Sequence, residues 1–213
     1  MIALRQALLS LALAAAAHGA PDPAAVLTPA DLAGGWKPLV DALASKGPIE
    51  ASFTERRYFP FRREPTVLGG VLRISPERGL SLQYLQPETS ILIADPAGLI
   101  LRDAKGRSRE MPSESREAGA IASLLPIMRF DMPALLPRFV VRAERGDSGW
   151  RFEFTPRDPG VAGSLGTITV QGAGTDVRHL EFRRSASQRV EIDVGDTKAG
   201  AVFTAPELAK FFR

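Results

Sequence analysis

Hydrophobic and polar residues alternate along most of the chain with a period of two, the pattern of strands that bury one face and expose the other. The alternation starts after Pro48 and continues to residue 102, broken by turn sequences such as the one from Asp95 to Gly98. It returns near the C-terminus, where three aromatic residues between positions 150 and 154 alternate with charged ones. We therefore predict a meander of about ten short antiparallel strands in one sheet.

Three segments follow the helical period instead. The first opens with Thr28 as the N-cap and Pro29 at the first helical position, and it ends at the Gly47-Pro48 stop. The second, from Ser115 to Met128, carries apolar residues at steps of three and four. A short closing helix is predicted from Pro206 to Phe212. The fold class predicted is therefore mainly β, of the α+β type.

The predicted sheet is large relative to the helices that are available to cover it. A long antiparallel sheet twists and curls instead of staying flat, and its apolar face must be covered. Two amphipathic helices are few for so many strands. The sheet therefore either closes into a barrel or leaves a partly filled concavity. A concavity would bind a hydrophobic ligand, whereas a filled core would favour a structural or adaptor role at the surface of the protein.

The N-terminal segment has the layout of a secretory signal peptide. Arg5 precedes an apolar run from Ala7 to Ala17, and small residues follow it. The run is about half as long as the roughly twenty residues that a membrane-spanning helix needs. We expect residues 1–20 to be removed on export to the periplasm. Residues 21–213 would then form a single domain, since about 190 residues suffice for one sizeable core.

Composition and charge exclude several classes of function. The chain contains no cysteine, which excludes disulfides, thiol catalysis, thiolate metal sites and N-terminal lipid attachment. The formal net charge of +3 is small, and arginines stand among acidic residues along the strands. We interpret this as a solvated outer face, and we expect no nucleic-acid partner.

Candidate catalytic residues are few. Because His18 falls in the predicted signal peptide, His179 is the remaining candidate base, with Asp176 nearby in sequence. One histidine cannot form a multi-histidine metal site, and the chain has neither a Gly-x-Ser-x-Gly nucleophile elbow nor a phosphate-binding Gly-Lys-Ser/Thr loop. We predict no catalytic residue, no metal site and no cofactor. An enzyme acting on lipid or glycan is the minor alternative.

The order of the motifs resembles the LolA family of periplasmic lipoprotein carriers. An N-terminal helix is followed by Ala-Ser-Phe-Thr-Glu-Arg at 51–56, by Leu-Gly-Gly-Val-Leu-Arg-Ile-Ser-Pro at 68–76 and by Leu-Gln-Tyr-Leu-Gln-Pro at 82–87. The resemblance covers nearly the whole chain after the predicted signal peptide. It implies a strongly curved antiparallel half-barrel, as in LolA and the related lipoprotein receptors, with helices that cover the concave face.

The resemblance also implies a function. Members of that family take the acyl chains of a lipoprotein from an inner-membrane transporter and deliver them to an outer-membrane acceptor. This chain would then be a monomeric carrier of acyl chains of lipoproteins or of other lipidic cargo, in transient contact with membranes. The family places an arginine before the proline that ends its second strand, as a latch for the lid. Ser75 holds that position here, so Arg73 and Arg78 are the candidate latch residues.

The resemblance and the strand pattern together assign residues to the cavity. Burying one methylene is worth about 0.8 kcal/mol, so a loosely packed hollow under a movable lid would release acyl chains more readily than a tight one. The predicted wall residues are Phe53, Leu72, Ile74, Leu82, Tyr84, Ile91, Ile93, Leu99, Leu101, Trp150, Phe152 and Phe154. The predicted lid residues are Ile121, Leu124, Leu125 and Met128.

Overall fold

A computed structural model of the chain describes residues 24–111 and 125–213, so the predicted signal peptide lies outside the described residues. Within these ranges twelve strands form a single sheet. The strands are β1 (Ala25–Val26), β2 (Ile49–Tyr58), β3 (Thr66–Ser75), β4 (Gly79–Gln86), β5 (Ser90–Asp95), β6 (Gly98–Asp103), β7 (Ser108–Met111), β8 (Phe139–Gly146), β9 (Gly149–Pro156), β10 (Thr167–Ala173), β11 (Asp176–Ser185) and β12 (Gln188–Ala199).

The sheet is antiparallel throughout and open at both edges. Its strand order is β1-β8-β9-β10-β11-β12-β2-β3-β4-β5-β6-β7, so hairpins build the two halves and the pairing of β12 with β2 joins them. At that junction Ile192 lies opposite Glu55. The prediction of one antiparallel, unclosed sheet is confirmed, with twelve strands in the described residues instead of about ten.

The helices in the described residues are short. They are α1 (Pro29–Ala33), α2 (Lys37–Ala44), α3 (Met132–Leu135), α4 (Pro159–Leu165) and α5 (Ala205–Phe211), and residues 125–128 are also helical. No helix in these ranges is long and apolar enough to cross a membrane. Residues 115–124 of the predicted second helix lie outside the described ranges.

The predicted first helix begins as expected but is not continuous. The Thr28 side chain accepts a hydrogen bond from the backbone of Asp31, whose carboxylate bonds back to Thr28 in a capping box. The single helix expected as far as residue 46 is broken at Gly34, which is the C-cap of α1, and α2 begins at Lys37. Glycine is a poor helix former, so the Gly34-Gly35 pair is a natural place for this break.

Two hydrophobic clusters lie on opposite faces of the sheet. The larger one covers the inner face, and it includes Phe139 of β8 at one end and Leu99 of β6 at the other. An open sheet of twelve strands twists and curls, and the face that carries this larger cluster is its concave side. The smaller cluster lies on the outer face of β4 to β6 under α5, and it consists of Ile91, Ile93, Ile100, Phe211 and Phe212.

Candidate functional site

The concave inner face is the candidate site, and its floor is aromatic. Phe152 and Phe154 of β9 are both 0% exposed. Above them, Phe130 packs edge-on against Trp150 and Phe152, with ring centroids 5.7 and 5.6 Å apart. Trp36, which lies between α1 and α2, packs against Phe152 at 5.1 Å. The floor is therefore covered by side chains from two separate segments of the chain.

Most of the predicted wall residues lie together on this face. The residues that share the inner cluster are Phe53, Leu72, Ile74, Leu82, Tyr84, Leu99, Trp150, Phe152 and Phe154. Leu101 lies opposite Leu92 on the same face, but it is 39% exposed. The apolar wall was therefore largely recognisable from the alternation of the strands.

The prediction for β5 was wrong. Ile91 and Ile93 belong to the outer cluster, and Leu92 lies on the inner face opposite Leu82. The segment from Ile91 to Ala94 is apolar at every position, so alternation alone could not indicate which residues face inward. The reason for this composition is that β5 is buried on both faces, by the inner core and by α5.

The predicted lid is described only at its C-terminal end. Ile121 and Leu124 lie outside the described residues. Leu125 belongs to the inner cluster, and Met128 packs against it. The sequence analysis missed Phe130, which is 2% exposed and has a backbone φ of 50°. That left-handed conformation ends the helical stretch and turns the ring down onto the floor, and no sequence signal such as glycine marks it.

Two small cavities lie at the boundary between α2 and the segment that follows the predicted lid. We call this boundary the seam. The first has a volume of about 110 Å³ and is bordered by Arg129. The second, about 30 Å³, extends towards Phe130 and Val194. Both are bordered by Leu43, Lys46, Ile49, Ile74 and Met128. Each is smaller than the cavity of about 150 Å³ that holds a benzene molecule in another protein.

Arg129 belongs to the covering segment and forms hydrogen bonds across the seam to the sheet. Its Nη2 donates hydrogen bonds to the carbonyl oxygen of Ser75, at 3.4 Å, and to that of Pro76. These carbonyls belong to the end of β3, the position from which a latch arginine was expected to reach the lid. The arginine is on the covering segment, and the acceptors are at the end of a strand of the sheet.

The two latch candidates named from the sequence both contact the C-terminal segment. Arg73 lies on the outer face, where it donates to Glu50 at 2.9 Å and stacks on the ring of Phe211 at 3.7 Å. Arg78 donates to the backbone carbonyl of Arg213 at 3.2 Å. Both residues thus hold the C-terminal helix α5 against the outer face. Arg73 lies on the face opposite that of Leu72, because successive side chains of a strand point to opposite faces.

A buried polar network interrupts the apolar inner face. Glu55 is 3% exposed, and its carboxylate accepts a hydrogen bond from the Tyr84 hydroxyl at 2.8 Å and forms an ion pair with Arg57. The Arg57 side chain is 39% exposed, so the network connects the core to the rim. Burial raises the pKa of the Tyr84 phenol, and the Glu55 carboxylate raises that pKa further, so Tyr84 stays a neutral donor.

The candidate catalytic histidine lies on the other face. His179 Nδ1 is 2.8 Å from the carboxylate of Asp193, which also pairs with Arg56. Burial raises the pKa of Asp193, but the hydrogen bonds from His179 and Arg56 outweigh it and leave that pKa lowered. Asp176 instead accepts from Lys46 at 2.7 Å. This is the arrangement of a surface ion-pair cluster. In the part of the chain that the structure describes, no group of three His, Cys, Asp or Glu side chains is placed to hold a metal ion.

Comparisons with known proteins find similar structures but no match by sequence. No protein-family model and no curated protein matches the chain. A LolA superfamily protein from Nitrosomonas europaea is 8% identical, with a TM-score of 0.45 over 78% of this chain and 94% of that chain. A DUF1329 family protein from Desulfovibrio piger is 5% identical, with a TM-score of 0.43 over 78% and 90%. LprF from Mycobacterium bovis is 11% identical, with a TM-score of 0.37 over 80% and 93%.

The first of these structures belongs to the superfamily that the sequence motifs resemble. With TM-scores of 0.45 or lower, the likenesses do not decide what this chain binds.

Proposed function

We propose that this chain is a periplasmic carrier that binds the acyl chains of lipoproteins or other lipidic cargo on the inner face of its sheet. It would receive them from an inner-membrane transporter and pass them to an outer-membrane acceptor, without catalysing a reaction. The observation that carries the proposal is the way the concave apolar face is covered. Within residues 24–111 and 125–213 its cover is a set of short helices and connecting segments, and the sheet is not closed into a barrel.

Such a cover can be displaced and replaced by cargo. α1 and α2 are five and eight residues long, and glycines separate them. When the cover moves away, the aromatic floor loses contact with Trp36 and Phe130, but an acyl chain offers an equivalent apolar surface. Because one apolar contact replaces another, the net free energy of exchange is small compared with the gross burial of about 0.8 kcal/mol per methylene. Loading and release can therefore both proceed.

Bound cargo is the direct test of this proposal. Protein purified from the periplasmic fraction should yield acyl-containing species when it is extracted with organic solvent and examined by mass spectrometry. Delipidated protein should take up a fluorescent fatty acid in a saturable way. Protein that is repeatedly empty after purification, and that shows no saturable uptake, would contradict the carrier function.

A second candidate is a non-catalytic envelope adaptor that uses its surface and keeps its core permanently filled. The close packing of Phe130 on Trp150 and Phe152, together with the small volume of the seam cavities, favours this role. An adaptor would remain empty in both cargo experiments. It would also keep its cover closed, with slow hydrogen exchange of the amides of α2 in the presence of fatty acid.

The hairpin between β2 and β3 suits the transient membrane contact expected of a carrier. Phe61 at its tip is 79% exposed and stacks on Phe59 with ring centroids 5.4 Å apart. Arg62 and Arg63 follow in the same turn and are exposed, as is Glu64. Exposed aromatic rings next to arginines match the interface of a bilayer that carries anionic lipids. We propose that this tip dips into the headgroup region of such a bilayer.

The absence of cysteine allows a site-specific test of the hairpin tip. With an environment-sensitive fluorophore at Phe61→Cys, we expect a blue shift and an intensity rise on addition of phosphatidylglycerol vesicles, and a smaller response to phosphatidylcholine. Val202→Cys is the matched control, since Val202 is 90% exposed but lies in the segment before α5. Equal responses from the two labels, or no response from Phe61→Cys, would argue against this membrane contact.

A further inference from the structure

The positive charge of Arg129 has no counter-ion among the described residues. No carboxylate there lies within 4.0 Å of its guanidinium, whereas Arg56, Arg57 and Arg73 each pair with an acidic side chain. The Nη2 donors of Arg129 reach two neutral backbone carbonyls. Its Nε is buried and has no hydrogen-bond partner. A buried donor on a charged group that is left unpaired is costly, so this arrangement requires an explanation.

An anionic ligand bound beside this guanidinium would account for its lack of a counter-ion among the described residues. Arg129 borders the 110 Å³ seam cavity, whose other lining is mostly apolar and includes Leu43, Ile74 and Met128. Lys46, the second cation in the lining, is already paired with Asp176 at 2.7 Å. Arg129, a cation without a counter-ion among the described residues, therefore borders a mostly apolar cavity that shares lining residues with the cavity beside Phe130.

A site with one cation at the mouth and apolar walls behind it fits an amphiphile with an anionic head. We infer that the cargo carries a carboxylate or a phosphate group, which Arg129 binds at the seam while the hydrocarbon chain passes between α2 and the sheet. This inference rests on the proposed carrier function and specifies its ligand class. Arginine suits the role because its five donors allow it to keep the Ser75 and Pro76 carbonyls while it binds an anion.

Ligands with one chain length and different head groups test the inference. The wild-type protein should bind a long-chain fatty acid or the corresponding alkyl phosphate about tenfold or more tightly than the fatty alcohol, the range expected for one charge-assisted hydrogen bond. Whichever anion binds more tightly identifies the head group. Arg129→Gln should remove the preference, so that the acid, the phosphate and the alcohol bind with affinities within about twofold of one another.

Two further variants distinguish an effect of the Arg129 charge on head-group preference from an effect of the substitution on folding. Arg129→Lys should retain part of the preference because it keeps the charge. Arg78→Gln is the matched control: Arg78 lies in the turn just after Pro76, but it bonds to the carbonyl of Arg213 and not to the seam, so its loss should leave the preference intact. Denaturant unfolding of each variant shows that it is folded.

The outcomes distinguish this inference from the carrier proposal on which it rests. Binding of alcohol and acid with equal affinity, or a preference that survives Arg129→Gln, overturns the anionic head group and leaves the carrier function standing. Failure to bind any of the three ligands overturns both. A preference lost in Arg129→Gln and retained in Arg78→Gln supports the assignment of Arg129 as the head-group site.

Discussion

Phe130→Ala is expected to lower the free energy of unfolding by about 3–5 kcal/mol and, at the same time, to raise the affinity for a fatty acid. Phe130 is 2% exposed and contacts two rings of the floor, so truncation removes a large buried side chain and leaves a cavity. The new space joins the 30 Å³ cavity that Phe130 now borders. An acyl chain would fill that space and recover part of the lost apolar contact.

Urea unfolding and titration with a fluorescent fatty acid measure the two effects. Phe212→Ala is the matched control, because Phe212 is 1% exposed but lies in the outer cluster under α5. It should destabilise the protein by a comparable amount without raising the affinity. Tighter binding in Phe130→Ala alone supports a hollow that Phe130 plugs in the empty protein. If neither variant binds the fatty acid more tightly, or if both gain affinity equally, that role for Phe130 is excluded.

Glu55→Ala is expected to destabilise the protein by about 2–4 kcal/mol, the second largest effect. The substitution leaves the Tyr84 hydroxyl without its acceptor and the Arg57 guanidinium without its counter-ion beside an apolar core. The figure lies below the usual upper limit for breaking a buried ion pair, since the Arg57 side chain is 39% exposed and water can still reach it.

Replacement of the whole network provides the control for this prediction. In the triple variant Glu55→Leu, Arg57→Leu, Tyr84→Phe, no buried polar group is left unpaired, so most of the stability should return. Glu50→Ala should cost less than Glu55→Ala, because the Glu50 side chain is 30% exposed against 4% for Glu55, and Arg73 keeps its hydrogen bond to Gln83. Equilibrium unfolding in urea gives all three values. A Glu55→Ala protein as stable as the wild type would show that the network contributes nothing to the fold.

The residues that face inward could be predicted in strands whose two faces differ in polarity. In strands buried on both faces they could not. In β9, aromatic residues alternate with charged ones, and the predicted inward residues Trp150, Phe152 and Phe154 do lie in the inner cluster. In β5, both faces are apolar, and the assignment of Ile91 and Ile93 failed. The period of two identifies a buried face only when the opposite face is wet.

Capping residues predicted where helices begin, but the apolar pattern did not predict where a helix is interrupted. Thr28 is the N-cap that the sequence predicted, and the closing helix predicted from Pro206 begins at Ala205 behind an N-cap at Thr204. The break at Gly34 and the short helix α4 were missed, because a glycine is tolerated in some helices and α4 spans only seven residues. Secondary structure of this length depends on packing against the sheet more than on propensity.

The sequence by itself determined an antiparallel β-rich fold, the turns between its hairpins and most of the apolar wall, because all of these depend on neighbouring residues and on side-chain alternation. Only the tertiary structure decided what covers that wall. Phe130 lies against Trp150, Tyr84 against Glu55, and Arg129 against the carbonyls of Ser75 and Pro76. These partners are distant in sequence, and their contacts arise when the curled sheet brings them together. No local sequence pattern predicts these contacts.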